Sequence, residues 1–128
     1  MLKEIKIKGY KSLKDVTLNL RPINILIGAN GVGKSNFITF FSLVNNIYEQ
    51  NLQSYSMTCG ADSLLYYGLK HTNQIEGSLD FGNNTYAFKL SPAKDGSLYI
   101  AEEENVYLNS NFIYPSKNIR ESKIKDST

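Results

Sequence analysis

Ile23-Asn24-Ile25-Leu26-Ile27-Gly28-Ala29-Asn30-Gly31-Val32-Gly33-Lys34-Ser35-Asn36 is the stretch on which the fold turns. Its first five residues form a short, nearly continuous apolar run, the pattern of a central strand covered on both faces. Gly28 to Ser35 then fit the phosphate-binding spacing G-x-x-x-x-G-K-S. A polyphosphate must be surrounded by backbone N–H groups. A chain wraps that tightly only where some residues adopt positive φ and none projects a Cβ at the ligand, as Gly28, Gly31 and Gly33 allow. Lys34 opens the next helix, so its ammonium can reach β- and γ-phosphates beside the helix's positive end. The Ser35 hydroxyl is a hard oxygen suited to Mg2+, which prefers octahedral oxygen coordination and usually bridges the phosphates. A chance match in a chain this short is on the order of 1% or less. The setting, strand before and amphipathic helix after, is the one the chemistry requires.

Downstream, Phe37, Phe40, Phe41, Val44, Ile47 and Tyr48 recur at three- and four-residue steps and predict a helix from Gly33 to about Glu49. Upstream, Leu2 to Lys8 alternates apolar and charged residues as a half-buried strand. Gly9-Tyr10-Lys11-Ser12 interrupts it, Val16, Leu18 and Leu20 mark a second strand, and Arg21-Pro22 punctuates. Asn51 to Gly60 is polar and small and reads as a loop. Ala61 to Leu69 predicts a short helix around Leu64, Leu65 and Leu69. From Gln74 the period returns to two, with Ile75, Leu79 and Phe81 on one face, a tight turn at Asn83-Asn84, and Tyr86, Phe88 and Leu90 returning. Asp95-Gly96 is another turn before Leu98 and Ile100, and Val106 and Leu108 suggest a fourth strand.

The fold class expected is α/β (α+β): strands and a glycine-loop helix over residues 1–50, a loop and short helix over 51–73, and an antiparallel β-meander over 74–108. Residues 1–116 form one lobe, and the polar, aperiodic 117–128 predict a frayed tail.

Composition narrows the function classes. The 128 residues carry 14 Lys+Arg against 12 Asp+Glu, with 41% hydrophobic and 20% charged, which excludes a disordered chain and a charged-tail protein. No run approaches a membrane span and no signal-peptide segment is present, so the cytoplasm is the expected location. A single cysteine, Cys59, and a single histidine, His71, exclude a disulfide framework and a thiolate or His-rich metal site. Cys59 reads as a free thiol rather than a nucleophile, and His71 as a surface residue. The nine tyrosines read as core and rim packing rather than as a base-stacking surface.

The segments Ile5-Lys6-Ile7-Lys8-Gly9-Tyr10-Lys11-Ser12-Leu13-Lys14, Ile25-Leu26-Ile27-Gly28 and Asn30-Gly31-Val32-Gly33-Lys34-Ser35-Asn36 together resemble the N-terminal half of an ABC-type ATPase head. The likeness is to the RecF/SMC/OLD-like group, often labelled AAA family ATPases, and it covers residues 1 to about 45. It implies the first lobe of a P-loop NTPase, with 74–108 as the β-subdomain that follows the P-loop helix. It implies ATP and Mg2+ as cofactors, with Lys34 as the catalytic cation and Ser35 on the metal. The nucleotide site it implies comprises Gly28, Asn30, Gly31, Val32, Gly33, Lys34, Ser35 and Asn36, joined by Lys11 and Ser12. The family usually has Asn-Phe-Arg-Ser where this chain has Gly9-Tyr10-Lys11-Ser12, and Lys keeps the charge but not the two-pronged donor. The other reading of Lys3, Lys6, Lys8 and Lys11 is solvated lysines guarding an edge strand.

In complete members of the group two heads close over two nucleotides as a homodimer, and DNA or RNA engagement is common. The near-neutral charge here adds no electrostatic argument for nucleic acid. Hydrolysis in such heads needs a Walker B strand ending in Asp-Glu, a signature loop, and a glutamine and histidine near the γ-phosphate; none is recognisable. Leu98-Tyr99-Ile100-Ala101-Glu102-Glu103 is a decoy that lacks the aspartate and, continuing into Glu104, reads as a hairpin strand ending in a solvated turn. Gln74 precedes the first meander strand and no glutamine follows it, so the expected glutamine loop is absent as well. A piece of a longer head explains this more simply than a diverged stand-alone domain. Two alternatives stay open: another P-loop enzyme, a GTPase or small-molecule kinase, and a non-catalytic interaction module with a relic loop.

Overall fold

The computed structural model describes residues 2–20, 32–107, 112–113 and 116–123, with side chains in the first helix from Ser35 onward. Strands β1 (Glu4–Tyr10) and β2 (Leu13–Asn19) are followed by helices α1 (Val32–Tyr48), α2 (Leu52–Cys59) and α3 (Ala61–Leu64). Strands β3 (Ile75–Asp80), β4 (Asn84–Pro92), β5 (Leu98–Tyr107), β6 (Phe112–Ile113) and β7 (Ser116–Ile119) complete the described chain. All strands belong to one antiparallel sheet of order β2-β1-β3-β4-β5-β6, with β7 also on β5. The meander therefore extends the N-terminal hairpin instead of forming its own sheet. The predicted strand at Ile23–Ile27 lies outside the described residues, as does Leu108.

One face of the sheet carries the core. Ile5, Ile7, Ile75, Leu79, Tyr86, Phe88, Leu90, Leu98 and Ile100 alternate inward and meet Phe40, Leu43 and Ile47 of α1. Phe40 is fully buried, edge-on to Tyr10 at 5.4 Å and stacked on Phe88 at 6.2 Å. Opposite Phe88 stands Gly77, where a Cβ would come within 2.3 Å of the ring, so the aromatic pair lies flat on the sheet only because that side chain is missing. The helical face differs from the expected one: Leu43 is buried, whereas Phe41 and Tyr48 are exposed and share a second stripe with the exposed Ile38. With both stripes apolar, α1 has the composition of a helix covered on more than one side.

The other face is wet, as an antiparallel sheet allows. Register places Asp15, Lys8, Glu76, Lys89, Glu102 and Lys117 side by side across six strands, with charges alternating in sign. Lys89 lies 3.6 Å from Glu76 and 3.3 Å from Glu102. Such exposed, solvent-screened cross-strand pairs each contribute little, but all favour one register. Lys6 and Lys8 are exposed here as expected, yet β1 is no edge strand: β2 and β3 flank it.

Several local expectations are corrected. Asn51–Gly60 contains α2, because Leu52 and Ser56 share a buried face and Ser56 Oγ accepts the Leu98 N–H at 2.8 Å. The helix's free N–H groups at Leu52 and Gln53 donate to the Glu121 carboxylate at 2.7 and 3.1 Å, a cap supplied from 68 residues away. α3 stops at Leu64 rather than Leu69. The β3–β4 turn falls on Gly82-Asn83, one residue earlier than predicted, closed by Phe81 N–H to Asn84 O at 2.9 Å.

Leu98 to Tyr107 is a single strand with a bulge opposite Lys89/Leu90. The extra residue, Ala101, shifts the alternation, so Glu103 and Asn105 face inward while Glu102 and Glu104 face water. Residues 116–123 are likewise not frayed: β7 pairs with β5, and Ser122 is buried. Glu103, 4% exposed, holds that segment by accepting hydrogen bonds from Ser122 Oγ, the Lys123 N–H at 3.0 Å and Tyr86 Oη at 2.5 Å. Burial, then the nearby carboxylate, push the Tyr86 hydroxyl far above its ordinary pKa.

Candidate functional site

The glycine-rich motif and the helix meet where the spacing predicted. α1 begins at Val32, so Gly33, Lys34 and Ser35 lie in its first turn, where backbone N–H groups have no partner within the helix. Gly28, Asn30 and Gly31 lie outside the described residues, as do the side chains of Val32 and Lys34. Ser35 is exposed, and Asn36 is buried.

Gly9-Tyr10-Lys11-Ser12 is fastened to this first turn. Gly9 has φ +73 and a Cβ there would stand 2.4 Å from the Gln74 carbonyl, so only glycine fits. The β1–β2 register runs through it unbroken, with Lys8 opposite Asp15 and Tyr10 opposite Leu13, and at its positive φ the alternation of faces changes, so that Tyr10 joins Ile5 and Ile7 in the core. The Tyr10 hydroxyl is 3.0 Å from Thr39 Oγ1, which in turn donates to the Asn36 carbonyl at 3.1 Å. Burial raises the Tyr10 pKa, with the Thr39 hydrogen bond acting the other way. Asn36 Nδ2 donates to Ser12 Oγ at 2.8 Å.

Of the predicted site residues, the structure thus brings Ser12 and Asn36 into contact and places Ser35 one residue away. Lys11 sits at the tip of the turn with φ +48; its N–H bonds the Leu64 carbonyl at 2.8 Å and its ammonium lies 5.6 Å from the Tyr10 ring centroid. Sequence reasoning missed Tyr10 and Thr39 as the residues that hold the turn against the helix. Their contact spans 29 positions, and no local pattern announces it.

The acidic decoy is disposed of by its partners. Glu102 faces water against Lys89, and Glu103 is consumed by Tyr86, Ser122 and Lys123. Its run does not end in a solvated turn, since Glu104 lies within β5. Among the described residues no group of three His, Cys, Asp or Glu could hold a metal ion, and no helix is long and apolar enough to cross a membrane. Cys59 and His71 are exposed, and Gln74 Nε2 donates to Ser91 Oγ at 3.4 Å.

A sheet with the motif-bearing helix across its core face is a P-loop NTPase-like architecture. A solved structure described as "Structural biochemistry of ATP-driven dimerization and DNA stimulated activation of SMC ATPases" superposes with a TM-score of 0.57 at 20% identity, covering 98% of this chain and 75% of that one. A model of the AAA ATPase domain family matches residues 1–128, and the chain belongs to that family. Similar sequences include the DNA replication and repair protein RecF of Staphylococcus haemolyticus, 30% identical over 96 residues, which are 74% of this chain and 24% of RecF. An ATP/GTP phosphatase of Helicobacter pylori is 29% identical over 95 residues, 66% of this chain and 26% of its own length. The chain spans about a quarter of the length of the curated relatives it matches.

Proposed function

We propose that this chain binds ATP with Mg2+ through residues 28–35, as one lobe of a RecF/SMC-type ATPase head. The observation that carries the reading is the start of α1 at Val32, inside the motif, which leaves the helix's free N–H groups directly after the glycine-rich stretch. Gly28, Asn30, Gly31, Val32 and Gly33 would surround the polyphosphate, and Lys34 would neutralise its β- and γ-oxygens. The exposed Ser35 hydroxyl suits Mg2+, a metal that takes few protein ligands and keeps phosphates and waters. Lys11, Ser12 and Asn36 would form the flank of the site, Ser12 held by its bond to Asn36 and Lys11 by its N–H bond to the Leu64 carbonyl.

The second apolar stripe of α1, at Ile38, Phe41 and Tyr48, supports a lobe that further chain covers. Efficient hydrolysis would then require a Walker B pair and signature loop supplied by that further chain. Complete heads would pair over nucleotide, and DNA would be the macromolecular partner, by likeness to the proteins above. No contact among the described residues favours the GTPase, kinase or relic-loop reading.

Lys34→Ala is the test. It should weaken Mg-ATP binding about tenfold or more, the scale of one charged hydrogen-bond partner, and leave AMP binding within twofold. Equal ATP affinity in the two proteins would remove Lys34 from the site. A strong preference for GTP over ATP would favour the GTPase instead.

A further inference from the structure

Tyr66 and Tyr67 stand out among the aromatic residues. Tyr67 is 72% exposed, its ring centroid is 4.4 Å from that of Tyr66, and the edge of His71 meets it at 6.2 Å. This is no frayed loop. Tyr67 is held at φ +52, a conformation bulky residues avoid, by hydrogen bonds on either side of it. Leu69 N–H donates to Asp62 Oδ1 at 2.8 Å, Thr72 Oγ1 to the Tyr66 carbonyl at 2.5 Å, and Thr72 N–H to the Gly68 carbonyl at 3.0 Å. Tyr67 thus combines a strained backbone with a ring that stands in water.

The loop is also tied to the candidate site. Tyr66 N–H donates to the Gly9 carbonyl at 2.8 Å, Leu65 bridges to Tyr10, and the Lys11 N–H bonds Leu64. Ser12, the next residue, is bonded to Asn36 in the motif helix. A short hydrogen-bonded path thus runs from the first turns of α1 through the Gly9–Ser12 turn to the tyrosine pair. An exposed Tyr67 packed on a half-buried Tyr66, beside the turn that carries Lys11, suits a ligand with a flat π-face at one end and negative charge at the other.

We propose that Tyr67, backed by Tyr66, is the surface on which the base of the nucleotide stacks. The proposal rests on the phosphate-loop reading above. It assigns a contact to the end of the ligand that the glycine-rich motif does not touch, and it departs from the expectation that the tyrosines only pack.

The test compares Mg-ATP with Mg-tripolyphosphate, which has the phosphates and no base, on the full chain and its Tyr67→Ala and Tyr67→Phe variants. Tyr67→Ala should weaken ATP binding by about five- to hundredfold and change tripolyphosphate affinity by less than twofold. Tyr67→Phe, which keeps the ring, should restore ATP binding. Unaltered melting temperature would show that the variants are folded, as expected for so exposed a side chain. Unchanged ATP affinity in Tyr67→Ala, or equal losses for both ligands, would overturn the proposal. Loss of single-stranded oligonucleotide binding with ATP binding intact would overturn it in favour of a nucleic-acid contact. If the wild-type chain bound tripolyphosphate but not ATP, the platform alone would fail. If it bound neither, the phosphate-loop reading would fail and take the platform with it.

Discussion

Phe40→Ala should destabilise the chain by about 3–5 kcal/mol, the usual cost of deleting a buried phenyl ring. The ring is completely buried and joins the two layers, meeting Tyr10 of the hairpin edge-on and Phe88 of the sheet face-on. Its loss cannot be absorbed by a neighbour sliding in, because Phe88 is already pressed against the Gly77 backbone. A total stability of ~5–15 kcal/mol is normal for a domain, so the variant should sit near its unfolding threshold. Urea denaturation followed by circular dichroism checks this. A loss under about 1 kcal/mol would mean that α1 does not pack on the sheet as described. Because Tyr10 also contacts Thr39, the same variant should loosen the Gly9–Ser12 turn against the helix.

Glu103→Ala should be nearly as damaging, by about 2–4 kcal/mol, for a different reason. The substitution removes little apolar contact but takes away the buried carboxylate to which Tyr86 Oη, Ser122 Oγ and the Lys123 N–H all donate. Its effect should be regional as well as global. Residues 117–123 should exchange amide hydrogens faster, and the Glu121 cap on α2 should weaken with them. Denaturation combined with hydrogen exchange reads both effects. Full stability with unchanged protection of β7 would show that Glu103 does not anchor the segment.

What the sequence made legible was local. The period-two pattern of β1, β3 and β4, the helix after Gly33 and the spacing from Gly28 to Ser35 are each visible within a dozen residues. What it hid depends on partners far along the chain. α2 looks like a loop because its cap is Glu121 and its docking group is Ser56, neither of which an apolar period reports. β7 looks like a tail because it is held by backbone pairing with β5 and by polar contacts to Glu103, with a single apolar residue, Ile119, packed against the core. The acidic run misleads because one inserted residue, Ala101, reverses which glutamate faces the core. For the site, the motif announces itself, whereas the Ser12–Asn36 and Tyr10–Thr39 contacts join segments 24 and 29 residues apart. Tyr67 was concealed because composition gives a tyrosine's identity but not its exposure.

The central claim is that the backbone amides around Gly28–Ser35 receive a nucleotide's phosphates. Calorimetric titration of the folded chain with ATP tests it most directly, run with Mg2+ and again with the metal chelated. The account predicts saturable one-to-one binding that weakens markedly without Mg2+. A chain that retains its circular dichroism and melting transition yet takes up no ATP in either condition would contradict it.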